Sequence, residues 1–337
     1  MPKQEIHYFT KTLGSAGFVD YTAENVSHLE RFSYLYGYPL AIVSQWVRTA
    51  QKAAAERGYP CEIIHHFLED TPIGIVLPSL SSGFLCVPFD ALSVEHFDSL
   101  CSSNEKTAFL SALSKAQECF VKAKKIHDDW EKIYISQMDF AACDALSKTV
   151  IQKIMGEHQG CDTGRVFVRF LGAATAEGAA DQIESITAGL LRRYFIKGRP
   201  GTGKSTMLRK LVAAATEAGF NVEEYHCSFD PNSLDMVVIR ALGVCLFDST
   251  APHEHFPSRP GDEVVDIYEA AVKEGTDERF EKELARIAEE YKFKMLEAKK
   301  ELARARDIFQ RIEKLRLSNM DAAACEQARN EVLGRIF

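Results

Sequence analysis

Gly198-Arg-Pro-Gly-Thr-Gly-Lys-Ser205, continued by Thr206, follows a short β-type run from Arg192 to Gly198 and leads into a helical stretch from Thr206 to Ala218. The spacing is G-x-x-x-x-G-K-S, and strand, loop and helix succeed one another in the order a phosphate-binding loop requires. Glycines at Gly198, Gly201 and Gly203 let successive backbone N–H groups turn inward around an anion, and the helix behind them presents the positive end of its dipole to the same point. Gly198, Arg199, Pro200, Gly201, Thr202, Gly203, Lys204, Ser205 and Thr206 therefore form the expected nucleotide-binding stretch. Lys204 is expected to reach the terminal phosphates of ATP, and the Ser205 hydroxyl to ligate Mg²⁺. A plain glycine-rich turn leaves the Lys-Ser pair unexplained.

The chain repeats itself. Residues 7 to about 78 match residues 168 to about 239 at a constant offset of 161, pairing Phe9 with Phe170, Gly37 with Gly198, Pro39 with Pro200, Ser44 with Ser205, Arg48 with Arg209 and His65 with His226. Further on the offset becomes 182, pairing Glu131-Lys132 with Glu313-Lys314 and Gln137-Met-Asp-Phe-Ala-Ala-Cys143 with Asn319-Met-Asp-Ala-Ala-Ala-Cys325. The second copy thus carries about 21 extra residues, the difference between the offsets. Each copy reads as short apolar strands alternating with a helix, followed by a long helical segment. This predicts an α/β fold of two tandem P-loop NTPase-like domains with largely parallel sheets, residues 1–160 and 161–337.

The first copy has Gly37-Tyr-Pro-Leu-Ala-Ile-Val-Ser44 where the second has its phosphate loop, so Ile42 replaces a glycine and Val43 replaces the lysine. A β-branched residue resists the backbone conformations of a phosphate cradle, and valine brings no charge. One functional nucleotide site is expected, in the second copy.

Other candidates surround that site. Asp248, ending the apolar run Leu242 to Phe247, is the expected acid that holds Mg²⁺ with Ser205; it also suits a turn before Ser249-Thr250. Asp230 and Asp235 follow the strand Val222 to Phe229 and read either as acids that orient a water or substrate hydroxyl, or as turn formers. Asp230 has an acidic counterpart, Glu69, in the degenerate copy. In the loop Ser249 to Glu263, His253 and His255 with Glu254 and Asp262 form a weak metal pattern, and Arg259 is read as a charge for the leaving phosphate, in the same chain or a neighbouring one, or as an ion-pair partner of Asp262 or Glu263. His226, matched by His65, reads as a packed core histidine.

Apolar residues recur at helical spacing along Leu284, Ile287, Tyr291, Met295, Leu302, Ile308 and Ile312, and along Leu113, Phe120, Ile126, Trp130 and Ile133. The first of these predicts a helix of about 40 residues, about 60 Å long. Such helices pair with each other, cover the sheets, or offer a face to a protein partner. The net charge of −8 and pI near 5.8 give no basic field for nucleic acid. Nine cysteines without metal-type spacing suit reduced thiols, and no signal-like or membrane-spanning run occurs. A cytoplasmic protein is expected.

The runs Lys197 to Thr206, Tyr225 to Asp235 and Phe247 to His253 resemble the tandem-domain P-loop ATPases of spore-forming and related low-GC bacteria, and the resemblance extends over the whole chain. It implies a cytosolic ATP-binding protein of P-loop NTPase fold, with no particular substrate. A Mg²⁺-dependent ATPase, with Lys204, Asp248 and Asp230 as its chemical residues, is the reading the motifs favour. A small-molecule or nucleotide kinase and a non-hydrolysing nucleotide sensor are the alternatives.

Overall fold

The computed structural model describes residues 5–87, 102–160, 163–250 and 254–337. In chain order the first copy comprises β1 (Glu5–Phe9), β2 (Lys11–Gly14), β3 (Gly17–Asp20), α1 (Thr22–Val26), β4 (Arg31–Tyr36), α2 (Leu40–Arg57), β5 (Cys61–His65), β6 (Pro72–Leu77), β7 (Ser82–Val87), α3 (Ser103–Ile135) and α4 (Phe140–Met155). The second comprises β8 (Val166–Phe170), β9 (Gly172–Thr175), β10 (Gly178–Asp181), α5 (Ile183–Ile186), β11 (Arg192–Lys197), α6 (Lys204–Glu217), β12 (Val222–His226), β13 (Leu234–Ile239), β14 (Val244–Asp248), β15 (Asp262–Asp266), α7 (Ile267–Ala271), α8 (Thr276–Arg279), α9 (Glu281–Ser318) and α10 (Ala322–Ile336). The fold is mixed α/β, as the alternation of strands and helices leads one to expect.

Eleven strands form one sheet in the order β15-β11-β14-β13-β12-β8-β1-β5-β6-β7-β4. Within each half the strands run mostly one way. β8, β12, β14, β11 and β15 are co-directional and only β13 opposes them; in the other half only β6 opposes β1, β5, β7 and β4. The halves meet at β1 and β8, which are antiparallel and pair through Phe9 and Phe170. Those two residues are equivalents at the offset of 161, so the repeat closes on itself about a pseudo-two-fold axis, like an isologous dimer in one chain. β13, Leu-Asp-Met-Val-Val-Ile, is buried throughout, the mark of a strand covered on both faces.

The helices are exchanged between the halves. α3 and α9 run alongside each other, and Phe109, Ala112, Phe120, Leu302, Ile308, Phe309 and Ile312 close a shared core against both sheet halves. α4, from the first copy, packs Cys143, Val150, Ile154 and Met155 against Met207, Leu208 and Leu211 of the second. α10, from the second, packs Cys325, Val332 and Ile336 against Val43, Trp46 and Val47 of the first. A cut at residue 160 separates each sheet half from the helix that covers it.

Arg169 sits at the junction, buried on β8. It donates to Glu62 of the other half at 2.7 Å, lies 3.6 Å from Glu223, and stacks its guanidinium 4.0 Å from the centre of the Tyr8 ring. Arg240 donates to both oxygens of Glu223. Burial opposes charge on Glu223, yet Arg240 and Arg169 hold its carboxyl below the ordinary range.

Candidate nucleotide site

β11 ends at Lys197 and α6 begins at Lys204; the chain between them turns through Gly201 and Gly203 at φ of +77° and +88°. Both values are left-handed, which glycine adopts without cost and a β-branched residue does not. Gly203 is the N-cap of α6, so the free N–H groups of a 14-residue helix open onto the loop. Thr202 braces the turn: its hydroxyl donates to the Arg199 carbonyl at 2.8 Å and accepts from the Arg199 N–H at 3.3 Å. Thr206 is exposed on the first turn of α6.

Lys204 Nζ folds back to donate to the Arg199 carbonyl at 3.0 Å and lies 3.5 Å from Asp248 Oδ2. Asp248 closes β14 and pairs in register with Ile196 of β11, which brings the acid beside the loop. Its other oxygen accepts from the Thr250 N–H and hydroxyl, so the turn role and the site role belong to opposite oxygens of one carboxylate. Ser205 Oγ accepts from the Leu234 N–H at 3.0 Å. Ser205 and Asp248 together offer the hard oxygen donors that suit Mg²⁺, and they flank the same lysine.

Asp230 likewise has two roles. One oxygen accepts from Asn232 N–H within the turn, while Oδ2 lies 3.4 Å from Lys124 Nζ of α3. Asp235 is buried on β13, inside the sheet rather than in the turn. His226 is packed as expected, its ring nitrogens 2.7 Å from the Pro231 carbonyl and 3.2 Å from Glu224.

Among the described residues of the loop Ser249 to Glu263, Arg259 lies away from the end of β11 that carries Lys197. β15 runs parallel to β11, so the chain must travel back along the sheet before β15 begins. Arg259 therefore sits with Asp262 and the Thr187 carbonyl beside Arg193, at the start of β11. Four strand rises, roughly 13 Å, separate Arg193 from Lys197 at the loop end. The ion-pair reading of Arg259 holds, and within this chain Arg259 does not reach the loop end of β11. Asp262 is itself taken by a bidentate Arg193, whose hydrogen bonds hold its pKa down to about 2. His255 lies 3.6 Å from Asp181, Glu254 pairs with Lys197, and His253 lies outside the described residues.

What sequence reasoning missed is where α3 lies, not that it forms. Its C-terminal part, from the degenerate copy, crosses the phosphate loop. A Cβ built on Gly201 would fall 2.8 Å from the Glu131 carbonyl oxygen and 3.0 Å from its Cα. Tyr134 donates to Asp277 at 2.8 Å, and Asp277 in turn accepts from Arg199 of the loop. Among the described residues, the donor atoms of His127, Asp128 and Glu131 lie within 4.8 Å of one another, the only grouping with the composition of a metal set. The signal for this element was the repeated Glu-Lys pair, Glu131-Lys132 and Glu313-Lys314.

A cavity of about 590 Å³ lies at the degenerate counterpart, between Leu40, Ser44 and Arg48 of α2, Glu69, and Phe309 and Glu313 of α9. There Glu313 accepts from the Leu40 N–H at 2.5 Å. No family model, curated protein or solved structure matches the chain. Among the described residues, no helix is long and apolar enough to cross a membrane.

Proposed function

We propose that the chain is a Mg²⁺-dependent ATP-binding protein that hydrolyses ATP, with one working site in the second copy. The observation that carries this reading is the convergence of Lys204, Ser205 and Asp248 on the open N-terminus of α6, with the two left-handed glycines in front. A lysine parked between an acid and a loop carbonyl is a positive charge held in place for an incoming anion. Bound Mg²⁺ would bridge the phosphates and neutralise charge that develops on them. Lys204 and the loop N–H groups bind the β- and γ-phosphates, Ser205 and Asp248 hold the cation, and Asp230 lies one turn away on the carboxyl side of β12. The same geometry belongs with the tandem-domain P-loop ATPase resemblance, which forms part of this proposal.

The test is turnover of Mg²⁺-ATP by the full chain beside Lys204→Ala, with ATP affinity measured in parallel. Wild type is expected to release phosphate and the variant to lose at least about 100-fold in turnover, the size of effect that follows removal of one preorganised charge-stabilising donor. Tight binding by wild type without phosphate release would overturn hydrolysis and leave a nucleotide sensor. Release only when a small-molecule hydroxyl acceptor is added would favour a kinase.

A further inference from the structure

The repeat makes two independent statements about one point in space. By the offset of 161, Leu40 is the counterpart of Gly201; by the offset of 182, Glu313 is the counterpart of Glu131. The structure brings the members of each pair together across the halves, with the backbone and Cβ of Glu131 of α3 against Gly201 and the carboxylate of Glu313 of α9 on the Leu40 N–H. In the degenerate half the Glu313 carboxylate reaches the backbone N–H at the mouth of the loop, so a side chain at this helical position is long enough to touch whatever the loop holds. In the working half the Glu131 side chain is half-buried and accompanied by His127 at 3.5 Å. Lys124 reaches across to Asp230 from the same face of α3. Cys143 of α4 also lies against the loop, its Sγ 3.8 Å from the Thr202 carbonyl, but among the described residues Glu131 is the carboxylate that the first copy brings against Gly201.

We propose that the nucleotide site is composite, and that Glu131, supplied by the degenerate copy, is the catalytic base that takes a proton from the attacking water. The inference rests on the ATPase reading above. Water oxygen bonds to the γ-phosphorus as the bond from that phosphorus to the β–γ bridging oxygen breaks. The electron pair of the broken bond leaves with ADP beside Lys204, and the water proton passes to the Glu131 carboxylate and then to solvent. Burial pushes the Glu131 carboxyl up, against the pull of Lys124 and Lys204, which moves it in the direction a base working near neutral pH requires. His127 Nδ1 lies 3.5 Å from the Glu131 carboxylate, and burial lowers the pKa of the imidazole.

The experiment uses the full chain as wild type, Glu131→Gln, Glu131→Asp and Lys204→Ala, and reads ATP affinity by calorimetry separately from phosphate release. Glu131→Gln is expected to bind Mg²⁺-ATP as wild type does while turnover falls about 100- to 10,000-fold, the range of a general base. Glu131→Asp should recover part of that loss. Turnover of Glu131→Gln near the wild-type rate would overturn the assignment. So would tighter ATP binding at unchanged turnover, since that is the behaviour of a displaceable plug. Parallel loss of affinity and turnover in Glu131→Gln would reduce Glu131 to a packing contact. If wild type itself binds no ATP, the nucleotide reading falls first and this inference with it, and the calorimetry alone reveals that case.

Discussion

Two loops built from the same repeat end in different structures, and three residues separate them. α6 begins at Lys204, whereas α2 begins at Leu40, the counterpart of Gly201. Leu40, Ala41 and Ile42 continue a helix where Gly201, Thr202 and Gly203 hold a cradle open. The cause is local: left-handed backbone at the two glycines keeps the helix from starting early, while leucine and isoleucine at the same places have no such option and wind into the first turn. The N-terminus of α2 is then covered from within the chain. Glu313 accepts the Leu40 N–H that a phosphate would have taken, and so caps α2. The early helix start and the Glu313 contact thus go together, since the N–H that Glu313 takes is the one that α2 frees by beginning at Leu40.

The sharpest way to break that comparison is to separate the halves. Because α4 and α10 each cover the other copy, fragments 1–160 and 161–337 expressed alone leave Met207, Leu208 and Leu211 or Val43, Trp46 and Val47 without cover. Neither fragment is expected to melt cooperatively, and co-expression should restore a single transition, both read by calorimetry. A fragment that melts like the intact chain would show that the exchange is incidental. Next in size is the junction. Tyr8 and Arg169 are equivalents, and only the second copy places a charge there, between Glu62 and Glu223. Arg169→Ala leaves two carboxylates buried with less compensation and is expected to cost about 3–5 kcal/mol in denaturant unfolding, the usual penalty for removing one partner of a buried pair. A loss under about 1 kcal/mol would mean that Arg240 alone satisfies Glu223.

Much of this was legible in the sequence. The longer strands of both copies, the strand-loop-helix order around Gly198 to Ser205, the place of Asp248 at a strand end and the two long helices followed from period, spacing and the offset of 161, whereas the short pairs β2–β3 and β9–β10 and the edge strand β15 were not read. The exchange of helices did not. An offset shows which segments are equivalent, but segments related by a two-fold axis pack equally well on their own copy or on the other, and hydrophobic periodicity is the same in both cases. Glu131 was missed for that reason, although the repeated Glu-Lys pair had marked it. Arg259 was read both as a charge for the leaving phosphate and as an ion-pair partner of Asp262 or Glu263, and the structure shows the pair with Asp262. Its loop follows Asp248 in sequence, yet a parallel return strand obliges such a loop to run the length of the sheet, and the arginine arrives at the wrong end of β11.

The smallest expected effect sharpens the comparison most, because it sets one glutamate against its copy. If Glu131 serves chemistry and Glu313 serves the fold, the two should respond to substitution in opposite ways. Glu313→Ala removes the acceptor from the Leu40 N–H and should cost about 1 kcal/mol, a typical loss for a helix cap. Its effect on ATP turnover should be slight. Glu313→Gln keeps an oxygen at that place and should be nearly neutral, within about 0.5 kcal/mol. The two also differ in pH dependence. Burial raises the Glu313 carboxyl above its ordinary value, against the opposing pull of the Leu40 N–H and Arg316. A raised folded value means that the protonated form favours the fold. Its contribution is complete below about pH 4.3, the unfolded value, and declines as pH rises through the higher folded value. Urea midpoints of wild type should therefore fall relative to Glu313→Gln as pH climbs from 4 toward neutrality. Parallel curves for the two proteins would mean that the Glu313 carboxyl has the same pKa folded and unfolded, and that burial against α2 does not oppose its charge.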